Sequence, residues 1–79
     1  MSAAALAPLS LWVIYRYPDD FPDHYVVRRH SVLPGGLHQV QRRCELAESL
    51  EQARRKVPPG LTNLGRSRDD DPVIVEVWL

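Results

Sequence analysis

Residues 11–17 (LWVIYRY) alternate Leu11, Val13, Tyr15 and Tyr17 with Trp12, Ile14 and Arg16, and the run stops at Pro18. A period of two in β-branched and aromatic residues predicts a strand. Pro18-Asp19-Asp20-Phe21-Pro22-Asp23 crowds turn formers and fixed-φ prolines together, so the chain reverses or bulges there. Residues 24–33 (HYVVRRHSVL) resume strand composition. They close at Pro34-Gly35-Gly36, where glycine supplies the positive φ of a tight reversal. This second strand is expected to pair antiparallel with the first.

Residues 37–47 admit two readings. Val40, Arg42, Cys44 and Leu46 alternate with Gln39, Gln41, Arg43 and Glu45, which suits a third, shorter strand, while the Gln, Arg, Glu and Ala content suits a helix equally. Ser49-Leu50-Glu51-Gln52 decides between them. It has the form of a capping box, so a helix starts there and the preceding segment is a strand. Leu50, Ala53 and Val57 then recur at helical spacing. Glu51 sits in the first turn and Arg54, Arg55 and Lys56 in the last, where they complement the helix dipole. Pro58-Pro59-Gly60 ends the helix. Residues 61–72 have turn composition, with Leu61 and Leu64 to pin a connector to the core. Residues 73–79 (VIVEVWL) form the strongest strand, with Val73, Val75, Val77 and Leu79 on one face and Ile74, Glu76 and Trp78 on the other; so apolar a run belongs inside a sheet. The expected fold is α+β: a single antiparallel-rich sheet of three to four strands with one helix on one face, in the order β-β-β-α-β.

At 79 residues the chain is short enough for one domain, expected over residues 11–79, with residues 1–10 as a flexible leader. The apolar N-terminal stretch has no Lys or Arg ahead of it and is broken by Pro8, so it reads as neither a signal peptide nor a membrane span. Ten Lys and Arg balance ten Asp and Glu, which removes the basic field that draws many proteins to nucleic acid. Cys44 is the only cysteine and cannot form an internal disulfide, which points to a reducing, cytoplasmic setting. No Gly-rich phosphate loop is present. His24, His30 and His38 lack the spacings of helical zinc ligands, and nothing places a base beside Cys44. The expectation is a protein that is not an enzyme and needs no metal or cofactor.

The chain's six aspartates fall in two clusters, Asp19, Asp20 and Asp23 in the first loop and Asp69, Asp70 and Asp71 before the last strand. If the last strand runs antiparallel beside the first, both clusters meet at one edge of the sheet; if parallel, they begin at opposite ends. A gathered carboxylate patch would imitate phosphates and occupy an arginine-lined groove. The plainer reading is that aspartate is a good turn residue, and a cation site from these loops lacks the order of a calcium loop. A second candidate is the sheet face the helix leaves open. It carries either Trp12, Ile14 and Arg16 with Ile74, Glu76 and Trp78, or their alternates. Trp12, Arg16 and Trp78 could stack bases of single-stranded nucleic acid, form a homodimer or partner interface, or simply fill the edge of the core. Zero net charge and Glu76 weigh against direct nucleic-acid binding. Arg28-Arg29 and Arg42-Arg43 read as charges that blunt a strand edge.

The run from Val13 through Tyr15, Pro18, Asp20, Phe21 and Pro22 spells V-I-Y-x-x-P-x-D-F-P. With Ser49–Arg54 (SLEQAR), Val57–Leu61 (VPPGL) and Asp71–Trp78 (DPVIVEVW), it resembles a family of small uncharacterised proteins of bacterial and phage genomes. The resemblance covers most of the chain from residue 11, assigns no activity, and implies the strands and the short capped helix. In size and type the chain is also similar to anti-CRISPR proteins, small phage inhibitors that often bind Cas subunits through acidic, DNA-mimicking surfaces. That similarity implies a partner protein with a basic nucleic-acid-binding surface, such as a Cas subunit. It would be met by Asp19, Asp20, Asp23, Asp69, Asp70 and Asp71 on a monomer or homodimer.

Overall fold

In the computed structural model, residues 9–79 are described. The period-two segments become β1 (Leu9–Arg16), β2 (Tyr25–Val32), β3 (His38–Ala47) and β5 (Ile74–Trp78). A helix, α1 (Leu50–Arg55), follows β3, and a three-residue strand, β4 (Asn63–Gly65), precedes β5. They form one antiparallel five-stranded sheet in the order β3-β2-β1-β5-β4. The α+β class therefore holds, with five strands where three to four were expected. The additional strand is β4, inside the expected connector. It forms because Thr62 and Leu79 exchange backbone hydrogen bonds of 2.9 and 3.0 Å, which brings the connector alongside β5.

β1 begins at Leu9, opposite Val32, with Ser10 opposite Ser31, so two residues of the expected leader belong to the sheet. The rest of that leader lies outside the described residues. The turn joining β2 to β3 closes through Leu33 N–H to Leu37 C=O at 2.7 Å. It needs two consecutive positive-φ residues, Gly35 at 86° and Gly36 at 83°. Between β1 and β2 the chain turns twice, Phe21 N–H reaching Pro18 C=O and His24 N–H reaching Phe21 C=O. Tyr17 enters this loop in the left-handed region at φ 50°, an unusual conformation for a non-glycine residue and more so before proline. Its N–H bonds to His24 C=O at 3.0 Å and its ring lies 5.4 Å from that of Tyr25, contacts that hold it there.

The helix is short and starts as its sequence demands. Ser49 Oγ accepts from Gln52 N–H at 3.1 Å, and Gln52 Oε1 reaches back to Glu48 N–H at 3.1 Å. Ala53 is fully buried, and with Val57 it packs on Ile14, Val27 and Ala47, with Trp12, Tyr25, Leu50, Leu61, Val75 and Trp78 around them. The helix-bearing face thus carries Trp12, Ile14, Glu76 and Trp78, cross-strand neighbours in register. The regular alternation expected for residues 73–79 breaks at Val75. Glu76 pairs with Ile14 and Ile74 with Tyr15, so Val75 is an extra residue in a β-bulge. The bulge places Ile74 and Val77 on the same cleft of the opposite face, and lets Val75 join the core under the helix.

Candidate functional site

The face opposite the helix carries Leu11, Val13, Tyr15, Val26, Arg28, His30, Ile74 and Val77, the alternates of the Trp12 set. It is not bare. Val13 at 4% exposure, Val26 at 1% and His30 at 9% are buried there. Two loops line clefts above them: residues 18–20 with Asp71 and Val73 in one, and Leu64–Ser67 with Asp70 in the other. Trp12 and Trp78 instead lie on the helix side, part-buried against the core. Arg16 stands opposite Tyr25 at the far end of that side, exposed, its guanidinium 5.2 Å from the Tyr17 ring.

β5 runs antiparallel to β1, so the start of β5 meets the end of β1 through Arg16 N–H to Val73 C=O at 2.7 Å. Both aspartate-bearing loops therefore arrive at one end of the sheet. Asp19, Asp20 and Asp71 line a cleft of about 290 Å³ with Tyr15, Pro18, Val26, Arg28 and Val73. The carboxylates of Asp20 and Asp71 both act on Tyr15. Burial raises its phenol pKa, Arg28 opposes the rise, and the two aspartates add to it. Arg28 pairs with Asp20 at 3.4 Å, a part-exposed contact of small energetic weight. Asp70 lies in the neighbouring cleft, where its carboxylate accepts from Ser67 N–H at 2.7 Å, and Asp71 accepts from Val73 N–H at 3.1 Å. These two aspartates thus also act as turn formers. Asp23 and Asp69 are exposed on the same two loops.

Beside the acidic cleft lies an arrangement that the sequence reading missed. The Tyr15 hydroxyl is 2.6 Å from His30 Nε2, and His30 Nδ1 is 2.9 Å from His38 Nε2. One hydrogen-bonded chain thus links the acidic cleft to an apolar groove of about 420 Å³ that contains His30, His38, Leu11, Val13, Leu64 and Val77. Burial lowers the His30 pKa, with His38 and Arg28 acting the same way, so the buried ring is held neutral. The available signal was the hairpin itself: pairing about Pro34-Gly35-Gly36 sets His38 opposite Val32, two residues along β2 from His30 and on the same face.

On the helix side, beyond the reach of the short helix, Trp12, Val27, Arg29, Gln41, Arg43, Cys44 and Glu45 line a further cleft of about 300 Å³. Arg29 there is held by Ser10 Oγ, which accepts from Nε at 3.1 Å and Nη2 at 2.8 Å. Cys44 is a part-buried free thiol. Among the described residues no group of three or more His, Cys, Asp or Glu converges as a metal site, and no helix is long and apolar enough to cross a membrane. Comparison with protein-family models, curated proteins and solved structures finds no match to this chain.

Proposed function

We propose that this chain is a non-enzymatic interaction domain of the inhibitor type, which covers a basic nucleic-acid-binding surface of a partner protein with the acidic end of its sheet. The observation that supports this reading is the meeting of the two aspartate loops, with Asp19, Asp20 and Asp71 on a single cleft. Asp23 and Asp69, exposed on the same two loops, and Asp70 in the neighbouring cleft would extend the negative rim. Arg28 stands among these carboxylates and neutralises part of their charge. An arginine or lysine from a partner would compete with it for Asp20. Carboxylates on proline-stiffened loops lose little freedom on binding, and charge complementarity favours encounter with cationic grooves. The similarity in type to anti-CRISPR proteins makes a Cas subunit the first partner to try.

The test is interference with DNA binding by a panel of purified CRISPR effector complexes, read by gel shift at low and raised salt. The wild-type chain should suppress DNA binding by at least one complex, less so as salt rises. A variant with all six aspartates changed to asparagine should not. Inhibition by that variant equal to wild type would remove the acidic rim from the mechanism.

A second reading, single-stranded nucleic-acid binding, rests on Trp12 with Arg29 and Arg43 in the helix-side cleft. It uses Trp12 and Trp78 from that side, with Arg16 at its far end. Quenching of tryptophan fluorescence by single-stranded oligonucleotides, lost in Trp12→Leu, is its expected signature.

A further inference from the structure

The longest strand of the sheet, β3, is also one of its two edges. Among the described residues β3, His38–Ala47, pairs with β2 alone, which leaves its other side an open row of backbone groups. Val40 at 50% and Leu46 at 38% exposure project from it. Proteins usually shorten, charge, cover or bulge such an edge, because it is a ready template for another strand, and Arg42, Arg43 and Glu45 oppose pairing with any strand that does not match their charges. We propose that β3 is the surface through which two copies of this chain pair, antiparallel about a twofold axis at Cys44, with Arg43 of each copy opposite Glu45 of the other.

The register follows from symmetry and charge. A twofold axis perpendicular to the sheet places facing residues on the same side of it, so only positions of equal parity can oppose each other. Centring the axis on Arg42 or Arg43 sets guanidinium groups of the two copies face to face, and centring on Glu45 does the same with carboxylates. Centring on Cys44 sets Arg43 against Glu45 twice, and lays the aliphatic stem of Arg42 beside exposed Leu46 twice. Opposite charges directly across strands stabilise pairing and like charges oppose it. Glu45 has only a long contact, 4.0 Å, to Lys56 in its own chain, and Arg43 makes no ion pair among the described residues. Both are therefore available.

β3 does carry an irregularity, since the register against β2 shifts between Arg28 opposite Cys44 and His30 opposite Val40. Cys44 and Val40 nevertheless stand opposite Arg28 and His30, which share a face, so β3 presents the same face on both sides of the irregularity. The self-complementary order Arg-Cys-Glu is what selects a second copy over a foreign strand. Pairing would join the two sheets into one, with both acidic clefts on the same side, on the order of 20 Å apart at the ~4.8 Å spacing of strands. This inference stands whether or not the acidic end engages a partner.

Sedimentation of the full chain from about 10 μM to about 1 mM should show a monomer–dimer equilibrium. Arg43→Glu and Glu45→Arg should each weaken self-association by about tenfold or more, since each replaces two attractive pairs with two repulsive ones. An equimolar mixture of the two variants should regain wild-type association, because every contact in the mixed dimer is again of opposite sign. Unfolded variants could not produce that rescue. Facing Cα atoms in antiparallel strands are about 4.5–5.5 Å apart, within disulfide reach. Diamide, which takes two electrons and two protons from the facing thiols to become a hydrazine, should therefore trap a covalent dimer. The trap should fail in Cys44→Ser and in either charge-reversed variant alone. A wild-type monomer throughout this range, a dimer indifferent to both charge reversals, or a mixture no stronger than its components would overturn the proposal.

Discussion

Arg54 of the helix holds both carboxylate oxygens of Glu76 on β5. Its Nε lies 3.0 and 3.1 Å from Oε1 and Oε2, and its Nη2 contacts Oε2 as well. Glu76 is buried at 6% exposure in a face otherwise made of Ile14, Trp12 and Trp78, and a charge there is tolerable only if it is bonded. Trp78 Nε1–H adds a donor at 3.2 Å. The hydrogen bonds from Arg54 are the main cause of a Glu76 pKa below the usual carboxylate value. The pair therefore ties the helix to the second strand away from the hairpin that precedes it. Arg54→Met should lower the midpoint of urea unfolding, because it leaves the Glu76 carboxylate without its cation. Glu76→Gln, which keeps an acceptor, should cost less. A lowered folded-state pKa means the stabilisation is present above the unfolded value near 4.5 and is lost as pH falls through the folded one. Wild-type stability should thus drop below pH ~4.5 more steeply than that of Glu76→Gln. Equal slopes would show that the pair does not carry the acid sensitivity.

His30 sets a second, separate pH window. Its pKa is lowered, chiefly by burial, so the folded state binds fewer protons than the unfolded chain around the ordinary histidine value of 6.5. Stability is then complete above that value and declines as pH falls below it, down to the folded pKa. Urea midpoints measured at intervals between pH ~7.5 and ~5 should fall in wild type. They should stay flatter in His30→Phe, which is less stable at neutral pH because the Tyr15 hydroxyl loses its partner. A wild-type midpoint independent of pH across this interval would contradict a buried neutral imidazole.

Much of this architecture is written locally in the chain. β1, β2 and the helix follow from period-two alternation and from Ser49 with Gln52, and the same cap settled β3 as a strand. What escaped depended on contacts distant in sequence. Asn63–Gly65 has no amphipathic period, and of the two leucines expected to pin the connector only Leu61 reaches the core while Leu64 is exposed; the segment is a strand only because β5 lies beside it. The bulge at Val75 is invisible in VIVEVWL, where apolar residues occupy nearly every position and either face fits. Arg54 looked like a dipole complement, and only the folded sheet brings Glu76 to it. Convergence of the aspartate loops turned on the direction of β5, which composition left open and the β1–β5 pairing decides.

The Ser49 cap should be measurable in isolation. It accepts the Gln52 N–H at the start of a helix of only six residues, too short to persist without its cap and its packing. Ser49→Ala should cost about 1 kcal/mol, Ser49→Asp much less, since a carboxylate serves the same N–H and faces the positive end of the dipole. Thermal melts of the three proteins give the comparison. Equal loss in both variants would mean the hydroxyl is needed for something other than capping.

Asp70 and Asp71 allow turn formation to be separated from charge. Each accepts a backbone N–H close in sequence, Asp70 from Ser67 and Asp71 from Val73, and an asparagine carbonyl oxygen can do the same. Asp70→Asn and Asp71→Asn should therefore leave stability within about 0.5 kcal/mol of wild type, while the alanine variants should each lose about 1 kcal/mol. Both substitutions at each position remove the same negative charge. Binding lost equally with asparagine and alanine would then report the charge, and binding lost only with alanine would report the loop. Asp20 offers the complementary case: its part-exposed bond to Arg28 predicts a change within about 0.5 kcal/mol in Asp20→Asn. A large loss of stability there would make the acidic cleft a part of the fold, and the six-asparagine variant would no longer isolate its electrostatics.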